Sequence, residues 1–153
     1  MPYRIAVVCL GNICRSPMAA AVLRSKVAAA GLAGEVEVSS AGTGDWHVGA
    51  TADRRARAAL IARGYPDQHR ARQFTARDFA DVDLVLAMDS ANLRTLRRIA
   101  PAGDVEKIRL FDDPVEVPDP YYGHRSDFES VLGQIEAAAD RLVAELRTTV
   151  RPA

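Results

Sequence analysis

Residues 5–17 read Ile5-Ala6-Val7-Val8-Cys9-Leu10-Gly11-Asn12-Ile13-Cys14-Arg15-Ser16-Pro17, and this stretch decides the fold. The run Ile5-Ala6-Val7-Val8 is continuously apolar and rich in β-branched residues, as a parallel strand buried on both faces is. A short loop follows, containing Gly11 and Asn12. Ser16 is a favoured helix N-cap, and Pro17 suits the first helical position. Met18 to Ala30 is alanine-rich, with Leu23, Val27 and Ala30 at helical spacing and Gly31 as a stop. Strand, tight loop and helix follow one another within a few residues.

The same alternation continues along the chain. Strands are expected at 3–8, 35–39, 84–88 and 107–110, and helices at 17–30, about 53–63, about 90–99 and about 127–147. Glu35-Val36-Glu37-Val38 alternates polar and apolar, which predicts a half-exposed edge strand. Thr51 or Asp53 would cap the second helix, and Asp89 or Ser90 the third. Ser126-Asp127-Phe128-Glu129 reads as a capping box for the last helix. Its apolar stripe is Phe128, Val131, Leu132, Ile135, Ala139, Leu142 and Leu146. The order implies one α/β domain over 1–153, an open parallel sheet with helices on both faces. Ligands on such sheets bind beyond the carboxyl ends of the strands, where the Cys9 loop lies.

Composition narrows the function. The chain has 153 residues, 48% hydrophobic and 26% charged, which suits one core-forming domain. Its formal net charge of zero argues against bulk nucleic-acid binding. No apolar run spans a membrane, and no signal-peptide pattern opens the chain. Two cysteines make no disulfide framework, so the expected compartment is the reducing cytoplasm. His47, His69 and His124 are scattered and neither cysteine has ligand spacing, so no metal or cofactor is expected.

The chemistry follows from the Cys9 loop. A thiolate needs positive surroundings, and a helix N-terminus with a guanidinium supplies them. Loop N–H groups from Leu10 to Cys14 can cradle an anion, and Arg15 can grip two phosphate oxygens at once. Cys9 is therefore the candidate nucleophile for in-line attack on phosphorus. The Ser16 hydroxyl is near enough in sequence to reach the sulfur. Gly11 permits unusual backbone shapes, and Asn12 tolerates a left-handed one. A departing phenoxide, of parent pKa near 10, leaves better with a proton. Asp119, held between Pro118 and Pro120, is a candidate donor, although the residues alone rank it only slightly above Asp113. Asp112, Asp113 and Glu116 read as solvated loop charge. Trp46, in a glycine-punctuated loop, and the pair Tyr121-Tyr122 are the aromatics available for a ligand wall.

Cys9-Leu10-Gly11-Asn12-Ile13-Cys14-Arg15-Ser16 resembles the phosphate loop of the low-molecular-weight protein tyrosine phosphatases. Asp119-Pro120-Tyr121-Tyr122-Gly123 resembles that family's general-acid loop, and the likeness covers roughly residues 4–147. It implies a four-stranded sheet of order 2-1-3-4. It also implies a phosphocysteine mechanism using Cys9, Arg15, Ser16 and Asp119, with Asp119 later acting as base on water. Ser40 and His69 match a serine and a histidine that stiffen the loop through Asn12. Trp46 and Tyr121 match walls of a slot with Leu10 at its base, deep enough to favour phosphotyrosine. The implied partners are tyrosine-phosphorylated proteins, with inorganic phosphate or other oxyanions as product or inhibitors and the chain acting as a monomer. Rival readings are an arsenate reductase, which needs further cysteines after Cys14, and a protein arginine phosphatase, which carries threonine where Ile13 stands. A silent phosphoprotein-binding module is the non-enzymatic alternative. Cys14 is positioned in sequence to guard Cys9 against over-oxidation through a disulfide.

Overall fold

The computed structural model describes residues 1–151. β1 (Tyr3–Cys9), β2 (Val36–Gly42), β3 (Leu84–Ala87) and β4 (Ile108–Leu110) form one parallel sheet in the order β2-β1-β3-β4. Between and after them run α1 (Arg15–Ala29), α2 (Arg54–Ala62), α3 (Ser90–Ile99) and α4 (Arg125–Val150). Short 3₁₀ segments at Ala76–Asp81 and Val105–Lys107 went unread in the sequence. β2 is an edge strand, and its alternation is real: Val36 is buried and Glu37 exposed.

The period-2 geometry of β1 divides the core. Ile5 and Val7 face α1 and α4, packing with Met18, Leu23, Leu132 and Ile135. Ala6 and Val8 face the other way, toward Phe74, Phe79 and Leu96 of α3. Phe74 and Phe79 meet edge to face with centroids 5.0 Å apart. The whole predicted stripe of α4 is buried, from Phe128 to Leu146. β1 is thus covered on both faces and flanked by strands on both sides, which fixes the position of its last residue, Cys9.

Two helix starts differ from expectation. α1 begins at Arg15, so Cys14 holds the N-cap position without a side-chain cap, and Pro17 is the third helical residue. Ser16 does not cap because its hydroxyl is engaged elsewhere, at the Cys9 sulfur and the Ala41 carbonyl. Pro17 is tolerated because first-turn N–H groups lack helical partners in any case. α4 begins before the predicted box. The Asp127 carboxylate accepts from the His124 N–H at 2.6 Å, leaving Ser126 and Glu129 inside the helix. The caps of α2 and α3 are Asp53 and Asp89, which accept from Arg55 N–H and Asn92 N–H, each at 2.8 Å.

Candidate active site

The loop between β1 and α1 is pinned from below. Asn12 is fully buried with φ 58°, the left-handed backbone that asparagine tolerates. Its amide donates to Ser16 Oγ at 2.7 Å and to Ser40 Oγ at 3.2 Å. Its Oδ1 accepts from the Arg72 N–H at 2.9 Å, and its carbonyl meets His69 Nε2 at 2.6 Å. Burial lowers the His69 pKa, so the neutral ring with its proton on Nε2 is the form that fits this contact. On the far side of the loop, the Asp53 N–H donates to the Ile13 carbonyl at 2.7 Å. Gly42 closes the packing: a Cβ there would sit 2.7 Å from the Leu10 carbonyl oxygen.

This scaffold presents the sulfur. Cys9 Sγ lies 3.0 Å from Ser16 Oγ and accepts from the Asn12 N–H at 3.3 Å. The Asn12 amide already fills one acceptor position on Ser16 Oγ, so the single hydroxyl proton goes to the sulfur or to the Ala41 carbonyl, 3.3 Å away. Of the two acceptors, the sulfur is the nearer.

Arg15 is only 2% exposed. Its Nη1 donates to Asp89 Oδ2 at 2.6 Å and to the Val117 carbonyl at 3.0 Å. Burial pushes its pKa down, yet the Asp89 hydrogen bond and the charges around it hold it above the ordinary value, so the fork is a permanent cation. Nη2 faces Asp119 Oδ2 at 3.6 Å. Asp119 belongs to the segment after β4, and its side chain is 40% exposed, with Oδ1 accepting from the Tyr121 N–H at 3.1 Å. Cysteine, guanidinium and carboxyl thus converge on one cavity.

That cavity has Cys9, Cys14 and Arg15 in its floor and Trp46, Asp119, Tyr121 and Tyr122 around it, with Gly11 and Ile13 between. Leu10 is 46% exposed, so it stands on the rim rather than at the base. Trp46 is 68% exposed and lies over Gly44, where any side chain would collide with its ring. Tyr121 and Tyr122 stack edge to face, and Tyr122 is 95% exposed. Asn12 does not line the cavity; it works beneath it, with Ser40 and His69. Gly11 is not left-handed; its small size leaves room for His47, whose Cδ2 would lie 3.0 Å from a Cβ there.

Comparison with known proteins adds a second, independent line. Residues 4–151 match the family of low molecular weight phosphotyrosine protein phosphatases. The chain belongs to that family. It is 50% identical to a low molecular weight protein-tyrosine-phosphatase of Streptomyces coelicolor, over 98% of this chain and 97% of the relative. Its fold matches the Entamoeba histolytica protein tyrosine phosphatase solved with Hepes in the active site, with a TM-score of 0.93, 35% identity and coverage of 96% and 98%. It also matches the tyrosine phosphatase Wzb of Escherichia coli K30 solved with sulphate, with a TM-score of 0.85, 35% identity and coverage of 95% and 99%.

As a member of this family, the chain holds several residues at its site that sequence reasoning missed. His47 lines the cavity and Asp89 grips Arg15. Asp89 was legible only as a helix cap; its second oxygen does the other work. Asp112 was read as solvated and is buried, held by Gln134 Nε2 at 3.0 Å and by Arg141. Asp113 is exposed, and Glu116 accepts from the Ser90 N–H at 2.6 Å, so neither competes with Asp119 for the cavity. Burial, and then the charge of Asp53, push the Cys14 thiol far up, which keeps it protonated.

Proposed function

We propose that the protein hydrolyses phosphotyrosine in proteins, and small aryl phosphates, through a phosphocysteine intermediate. The observation that carries this reading is the convergence of Cys9, the buried Arg15 cation and Asp119 on one aromatic-walled cavity. In the first step the Cys9 sulfur attacks phosphorus in line, and the bond to the phenolic oxygen breaks. Arg15 and the loop amides hold the equatorial oxygens, and Asp119 gives its proton to the departing oxygen. In the second step Asp119 takes a proton from water, water attacks phosphorus, and Cys9 leaves as a sulfur anion that Ser16 stabilises. Leu10, Ile13, Trp46, Tyr121 and Tyr122 guide the ring. No metal or cofactor enters these steps.

The partners are tyrosine-phosphorylated proteins, with inorganic phosphate and related oxyanions competing for the same loop. We assign the chain to the reducing cytoplasm, which suits its two free cysteines, as a monomer. No helix among the described residues is long and apolar enough to cross a membrane. Ile13, an apolar side chain at the cavity wall, supports phosphotyrosine over phosphoarginine. The absence of any cysteine after Cys14 disfavours an arsenate reductase.

The test is turnover of phosphotyrosine and phosphoarginine peptides without added metal, in wild type and Ile13→Thr. Wild type is expected to prefer phosphotyrosine, and the variant to gain relative activity on phosphoarginine. A wild type that prefers phosphoarginine would overturn the substrate assignment.

A further inference from the structure

Resting on the function just proposed, we propose that Arg55 is a positioning residue for the general acid, clamping the Asp119 loop to the phosphate loop. One guanidinium joins the Asp119 loop to Asp53, whose backbone reaches the phosphate loop. Arg55 Nε and Nη2 donate to the two oxygens of Asp53, each at 3.1 Å. Nη2 also donates to the Tyr121 carbonyl at 2.8 Å, and Nη1 to the Gly123 carbonyl at 3.0 Å. Its flat face lies 4.4 Å from the centroid of the Phe128 ring on α4, and 5.7 Å from that of Tyr121.

Both ends of this arrangement lead to the reacting groups. Asp53 donates its backbone N–H to the Ile13 carbonyl inside the phosphate loop. Tyr121, held at its carbonyl by Arg55, offers its N–H to Asp119 Oδ1. On the chain side before Asp119, Val117 is fixed independently, by Met88 and by Arg15. Asp119 therefore hangs between two anchors, and Arg55 supplies the second. Asp53 holds the fork in turn. Burial pushes the Asp53 pKa up, but the Arg55 hydrogen bonds and charge outweigh this and leave it below the usual carboxylate range.

Lysine cannot do this. Four donations to three groups, with a ring stacked on the face, need a planar fork. A misplacement of about 1 Å in a proton donor can cost up to about 10²-fold. That loss falls on substrates that need the proton.

The experiment measures kcat/KM for a series of aryl phosphates, from strongly acidic phenols to phenol itself, in wild type, Arg55→Gln, Arg55→Lys and Asp53→Asn. The expected loss for Arg55→Gln is about tenfold or more with phenol as leaving group and under about threefold with the most acidic one. Arg55→Lys should not rescue it, and inorganic phosphate should inhibit every variant at wild-type concentrations. Placed in an Asp119→Ala background, Arg55→Gln should cost nothing further. Asp53→Asn keeps a competent helix cap and should show a weaker form of the same slope, which carries the test if Arg55→Gln does not fold. An equal loss across all leaving groups, or an additive loss in the Asp119→Ala background, would reduce Arg55 to a general structural role. An inactive wild type would instead contradict the proposed function.

Discussion

In the proposed mechanism the phosphate loop and the general-acid loop do half of the reaction each, yet they are built in opposite ways. The first is a buried knot: Asn12 alone ties its backbone and side chain to Ser16, Ser40, His69 and Arg72. The second lies on the surface, with Asp119 partly exposed and Tyr122 almost wholly so, and it is held through backbone carbonyls by Arg15 and Arg55. The difference matches what each must do. An anion cradle stabilises charge only if its dipoles are fixed beforehand. A proton donor must admit a protein-borne ring, release it, and then accept water at the same place.

The largest expected effect is in the buried loop. Cys9→Ser should abolish turnover while inorganic phosphate still binds, measurable by calorimetry. Near-wild-type hydrolysis by that variant would break the assignment. Arg15→Lys should fall below about a tenth of the wild-type rate, because a point charge cannot reproduce a fork that holds Asp89 and substrate together.

In the exposed loop, Asp119→Ala should slow aryl phosphate cleavage by ~10²–10⁴-fold, and less for acidic leaving groups. A loss independent of the leaving group would erase the contrast between the two loops, since Asp119 would then be as structural as Asn12.

Stability should separate the two loops further. Asn12→Ala strands the Arg72 N–H and places alanine in left-handed backbone, so urea denaturation should show a loss of about 1–3 kcal/mol. Asp119→Ala should change stability little, because its side chain is partly in water.

The smallest effect concerns pH. Asp53 ionises below its unfolded value of about 3.9, so on acidification the unfolded chain takes up the proton first. Its contribution to stability is complete above about pH 4 and fades as pH falls through the folded-state value. Asp53→Asn should remove that part of the acid sensitivity in denaturation measured from pH 6 downward to about pH 3.

The grouping at the cavity was legible in the sequence because Cys9, Arg15 and Ser16 lie within one short motif, and Asp119 within another. The parallel sheet with helices on both faces followed from the apolar runs and helical stripes, whereas the strand order came only with the family resemblance. The helix starts were misjudged where tertiary contacts took over: Ser16 is a good cap by type, but its hydroxyl found a buried sulfur. Asp89 and Arg55 were illegible as site residues for a similar reason. Their partners lie far along the chain, at Arg15 and at the Tyr121 and Gly123 carbonyls, and Arg55 is one arginine in a chain whose basic residues are nearly all arginine. His47 reaches the cavity only because Gly11 leaves it room. Leu10 was set too deep, since a loop residue's side of the rim depends on backbone turns that spacing does not encode.

Cys9 is expected to carry the phosphoryl group between the two steps. Rapid mixing with an aryl phosphate, acid quench and peptide mass measurement tests it directly, with Asp119→Ala used to slow breakdown of the intermediate. One added phosphoryl group is expected on the peptide containing Cys9, formed at the rate of phenol release and absent in Cys9→Ser. Phenol release with no labelled peptide, or with the label on any other residue, would contradict it.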